Sequence, residues 1–101
     1  MRLYRHGDVL LREVKGKKLV GDKKEVVLAE GEITGHSHRL ACPNGLIADQ
    51  ILNGKRYIDV PALSMLSHEE HGEMRIDPGH YEVIIEREWD YIGNQKRKVV
   101  D

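Results

Sequence analysis

The chain has 101 residues, 40% of them hydrophobic and 33% charged, and a formal net charge of −1. That length suits one domain, residues 1–101, with a modest core, and the composition is that of a folded chain rather than a disordered one. The charge balance argues against nucleic acid as the main partner, because such proteins carry a basic excess that neutralises phosphates.

The N-terminal stretch Met1-Arg2-Leu3-Tyr4-Arg5-His6 is charged and lacks the apolar run of a signal peptide. No segment is apolar for long enough to span a bilayer, so no membrane association and a cytoplasmic location are expected. Asp8 to Val14 follows a glycine and is β-branched at both ends, which predicts a strand. The lysines of Lys15-Gly16-Lys17-Lys18 and Lys23-Lys24, like Lys96-Arg97-Lys98 near the end, read as solvated turns and edges that discourage edge-to-edge pairing. A weak phosphate contact is the other reading they leave open. Lys24 to Glu30 lies between Gly21-Asp22 and Gly31, a spacing that favours a strand over a helical turn. His36 to Cys42 is a further strand, stopped by Pro43-Asn44-Gly45. Cys42 is the only cysteine, so no internal disulfide can form, and a buried, inert thiol is expected.

Leu46–Leu52 and Lys55–Val60 flank Asn53-Gly54, the pair that tolerates positive φ at both centres of a type I′ hairpin turn. Pro61 interrupts, and Ala62–Ser67 resumes as a short strand. Asp77-Pro78-Gly79 forms a tight turn into Tyr81–Trp89, and Gly93-Asn94 joins that strand to Lys96–Val100. Trp89-Asp90-Tyr91 reads as a plug for one end of the fold. Eight or nine short strands at this spacing predict an all-β barrel or sandwich, the barrel being favoured.

Chemistry concentrates in the histidines, six in all, four of which fall into the pairs His36-Ser37-His38 and His68-Glu69-Glu70-His71. Residues i and i+2 of a strand share a face with Cα atoms about 7 Å apart, so His36 and His38 can aim at one ion, with Gly35 leaving it room. An extended 68–71 segment puts His68 and Glu70 on one face; a turn brings His68 to His71. Gly72 and the two glutamates favour the turn. His36, His38, His68 and His71 are therefore the predicted ligands of a divalent metal, zinc first, with iron, nickel and manganese also compatible. Glu70 is the substitute ligand and, beside Glu69, the candidate to shuttle a proton from a metal-bound water. His6 and His80 are read as supporting or exposed residues. The competing reading is that all of these are solvated loop histidines.

Two resemblances attach to these motifs. His6-Gly-Asp-Val9, Leu28-Ala-Glu-Gly-Glu-Ile-Thr-Gly-His-Ser-His-Arg39, His68-Glu-Glu-His71, Pro78-Gly-His-Tyr81 and Arg87-Glu-Trp89 resemble a family of small uncharacterised phage and bacterial proteins. That resemblance implies an intracellular, phage-related setting and no particular chemistry. The histidine pattern is also similar to that of cupins, small β-barrels in which three histidines and a glutamate hold a metal. His36 and His38 match the first pair and His68 or His71 the later histidine. The cupin glutamate has no counterpart between Arg39 and Asn44, and the Pro78-Gly79 turn follows the later histidines instead of preceding them.

The reading that follows is a metal-binding protein, structural if four side chains close the site, and a hydrolase or cupin-like enzyme acting on a small molecule if water holds one position. A metal-free interaction or assembly module, marked by a stable homo-oligomer, is the rival. A nucleic-acid module, marked by lysines of 15–24 and 96–98 gathered on one face, is the third.

Overall fold

Every described segment with regular structure is a β-strand, and the segments pair antiparallel throughout. A computed structural model describes residues 1–30 and 36–86. The Gly31–Gly35 segment, the Trp89-Asp90-Tyr91 plug and the Lys96–Val100 strand lie outside the described residues. Among the described residues there are nine strands: β1 (Leu3–His6), β2 (Val9–Glu13), β3 (Glu25–Glu30), β4 (Ser37–Ala41), β5 (Ala48–Leu52), β6 (Lys55–Val60), β7 (Ser64–His68), β8 (Gly72–Ile76) and β9 (Gly79–Ile85). They form a five-stranded sheet in the order β1-β2-β9-β6-β5 and a four-stranded sheet in the order β3-β4-β7-β8. Among the described residues no helix is long and apolar enough to cross a membrane.

The sheets stack as a sandwich, which corrects the preference for a closed barrel. Among the described residues the backbone hydrogen bonds between them join Asp22 and Lys23, just before β3, to Ile47, just before β5. At the opposite edges β1 and β8 meet through side chains: the Tyr4 hydroxyl lies 3.3 Å from both the Asp77 amide and carboxylate, and His6 reaches the Gly72 carbonyl.

Alternation fills the space between the layers. Val9 and Leu11, Leu40, Ile58 and Val60, Leu66, Ile76, Tyr81 and Val83 are all buried. Each fully buried aliphatic side chain contributes about 1.5–3 kcal/mol relative to exposure, which is how a chain without phenylalanine assembles its core. Cys42 is buried among them with its thiol 3.8 Å from the Ala62 carbonyl. At the hairpin Asn53 and Gly54 both take positive φ, 53° and 78°, the conformation expected of that dipeptide.

A β-bulge at Val27–Ala29 shifts the register of β3 on β4 and turns both Leu28 and Ala29 inward. Its loosened carbonyls are taken by Arg56 of β6, which donates to Leu28 O at 2.8 Å and Val27 O at 3.0 Å. Asp49 of β5 holds the same guanidinium at 2.9 and 2.8 Å. One side chain thus ties the two sheets together. Arg56→Met leaves the bulge carbonyls and Asp49 without their donor, so the variant should be destabilised by about 2 kcal/mol in urea unfolding.

Candidate metal centre

Three chain segments bring histidines to one end of the sandwich. His6 closes β1, immediately before the turn into β2; His38 lies on β4; His68 ends β7, and His71 follows in the turn to β8. The turn at 69–71 decides the ambiguity of the second pair, since it folds His71 back toward His68 with ring centroids 4.6 Å apart. Gly72, at φ 74°, completes the reversal.

Two groups of metal-capable side chains result. One nitrogen from each of His38, His68 and His71 lies within 4.8 Å of the others, and the same holds for ligand atoms of His36, His68 and Glu69. The four histidines singled out from sequence thus occupy one neighbourhood, but the His36-Ser37-His38 pair divides. His36 precedes β4 and sits at the rim, 23% exposed, whereas His38 is 3% exposed. Glu70 faces His36, with its carboxylate 3.6 Å from Nδ1. His80 lies elsewhere, paired with Asp59.

The inner histidine is held by a relay that sequence reasoning had left in the background. His6 Nε2 is 3.0 Å from the Gly72 carbonyl, and its Nδ1 is 2.8 Å from Nδ1 of His38. A carbonyl can only accept, so His6 carries its proton on Nε2 and accepts at Nδ1. His38 must then donate from Nδ1, which leaves a lone pair on its Nε2. That nitrogen points at the Asp8 carboxylate, 3.4 Å away. Supporting a ligand imidazole through its second ring nitrogen is the usual way a metal site fixes orientation.

Burial disfavours the charged form of both relay histidines. Burial lowers the His6 pKa, and burial followed by the neighbouring His68 and His6 lowers that of His38 to about 4, with Asp8 opposing. At the rim Glu69 is held differently. The Arg39 guanidinium, 2.6 Å away, and then the Ser37 amide at 3.0 Å keep its carboxyl at about 2. Permanently ionised and doubly engaged, Glu69 is poorly suited to exchange protons, which leaves Glu70 as the carboxylate for that role. His68 Nδ1 accepts the amides of Glu70 at 3.0 Å and His71 at 3.3 Å, so this ring also braces its own turn.

Gly7 is the residue without chemistry that the site most depends on. Its φ is 63°, and a Cβ there would stand 2.8 Å from the His71 ring and 3.0 Å from that of His38. Gly7 and Asp8 were visible only as part of the string His6-Gly-Asp-Val9; nothing in their spacing tied them to histidines more than 30 residues away.

A family described as Domain of unknown function (DUF8820) has a model that matches residues 5–86. The chain belongs to this family. The matched span contains all six histidines. No curated protein and no solved structure matches the chain.

Because the folded His38 titrates below its ordinary value of 6.5, the unfolded chain binds more protons between that pH and about 4. Stability present above pH 6.5 should therefore be lost as pH falls toward 4, by up to a few kcal/mol. Thermal melts in chelator across that range read it directly; a flat profile would contradict the neutral relay.

Proposed function

We propose that this protein binds one divalent metal ion through His38, His68 and His71, and uses the position they leave open for chemistry on a small molecule. The observation that carries the reading is the grouping of ring nitrogens of His38, His68 and His71 within 4.8 Å of one another, at a His38 whose Nδ1 is engaged by the His6–Gly72 relay. Three imidazoles with a nearby carboxylate suit zinc first, and iron, nickel or manganese next. His36 and Glu70 form the outer rim, where Glu70 accepts a proton from an incoming nucleophile. A bound ion would supply acidification of a coordinated water, making hydrolysis the reaction class favoured here. The sandwich retains the His-x-His and later-histidine pattern of cupins without their glutamate, and cupin-like metal chemistry and a phage-related, cytoplasmic setting belong to the same proposal.

Metal content separates this reading from a metal-free assembly module. Protein purified without tag or added metal should carry about one equivalent by plasma mass spectrometry, lost in His38→Gln and His71→Gln and reduced less by His36→Gln. Gly7→Ala should lower affinity by about tenfold or more, because it drives a methyl group into both ligand rings. Wild-type protein that takes up none of the four metals on titration would sink the proposal, and a stable metal-free oligomer would then favour assembly.

Loading has a second signature. Whether His68 coordinates through Nδ1 or through Nε2, its Nδ1 can no longer accept the Glu70 and His71 amides. Those two amide resonances should shift on zinc addition well beyond the remaining backbone.

A further inference from the structure

On leaving β2 the chain crosses the outer face of the five-stranded sheet as a strap. Val14 donates its N–H to the His80 carbonyl at 3.0 Å, and the Leu19 N–H donates to the Asp59 carboxylate. The other Asp59 oxygen lies 2.6 Å from His80 Nδ1, and Tyr57 stacks on the His80 ring at 5.5 Å and 8°. Gly16 lets the strap lie this close, since a Cβ there would stand 2.5 Å from His80 Nε2. Asp59 is 6% exposed, so an otherwise costly buried carboxylate is satisfied by the strap and the imidazole together.

Strap and sheet enclose a cleft of about 370 Å³, within the range of small-ligand sites. Arg12, Lys15, Lys17 and Lys55 line it, and Glu82 is the one carboxylate among the described residues that do. Arg12 neutralises Glu82 at 2.6 Å. Among the described residues Lys15, Lys17 and Lys55 have no ion-pair partner. Three ammonium groups without an ion-pair partner among the described residues thus line one concavity in a chain whose net charge is −1. Solvated lysines on a convex surface spread apart. Here Lys15 and Lys17 lie on a strap whose Leu19 is anchored to Asp59, they line one cleft with Lys55, and a concave wall focuses their potential.

We propose that this cleft binds a phosphate-bearing ligand of at least two negative charges, with Lys15, Lys17 and Lys55 as the cationic contacts and Tyr57 at the floor. Lysine acts on phosphate as a point charge and needs no bidentate geometry. A nucleotide or short polyphosphate and the backbone of a single strand share this chemistry. The cleft is independent of the histidine cluster: β2 starts beside Gly7 and Asp8 and carries Arg12 toward its other end, where Val14 follows.

The test uses the full chain, with inorganic triphosphate followed by calorimetry and a labelled short oligothymidylate followed by anisotropy. Lys15→Ala/Lys17→Ala is compared with Lys23→Ala/Lys24→Ala, which removes the same charge away from the cleft. Binding of either probe, weakened about tenfold or more by the first double variant and at most about twofold by the second, is the expected result. Triphosphate that binds and displaces the oligonucleotide, or binds where it does not, identifies a compact ligand; oligonucleotide binding alone identifies a strand. Absence of binding by both probes, or equal weakening by both variants, would overturn the proposal.

Discussion

The hydrogen bond between Nδ1 of His6 and Nδ1 of His38 joins the edge strand of one sheet to an inner strand of the other, and the candidate centre is organised around it. Placing two imidazoles back to back in a nearly dry position is tolerable only if both are neutral and their protons are ordered. The Gly72 carbonyl imposes that order from one end. Its consequence appears at the other end, where His38 presents a lone pair to Asp8. An element that looks like packing thereby sets the direction of the site's central donor.

The remaining architecture holds this bond in place. β1 has a partner on one side only, and its His6 would be poorly positioned were the sheets free to slide. Arg56 resists sliding at the β3 bulge, and Tyr4 resists it at the β1 and β8 edges, where its ring packs edge-on against Tyr81 with centroids 5.8 Å apart. The bulge also adjusts how β3 lies against β4, and Ala29 pairs directly with His38 across that ladder. The two candidate sites then occupy different ends of the same strand pair, β2 and β9, without sharing a side chain.

Much of this fold could be read from residue order. Strands β2, β3, β4, β5, β6, β7 and β9 fall within or close to the segments indicated by β-branched alternation and turn chemistry, and Asn53-Gly54 behaves as its composition requires. Strands β1 and β8 were missed for a physical reason. Leu3-Tyr4-Arg5-His6 and Gly72-Glu-Met-Arg-Ile76 are short, largely polar edge strands whose stability comes from their partners, not from their own pattern. Sandwich and barrel, too, differ only in whether the outer strands hydrogen-bond to each other, which local periodicity does not encode.

At the site the division falls along the same line. Residue type and spacing singled out His36, His38, His68 and His71, which the fold gathers into one neighbourhood, and the polar 69–71 segment carries its own turn signal. Which of them lie within reach of one another, that His6 orders His38, that Glu69 is engaged by Arg39, and that Gly7 leaves room for two rings were decided by tertiary contacts spanning about 30 to 66 residues. Local sequence specifies φ, ψ and the face of a strand. The approach of a proton donor to an acceptor across two sheets depends on how those sheets stack, and stacking is a property of the whole core.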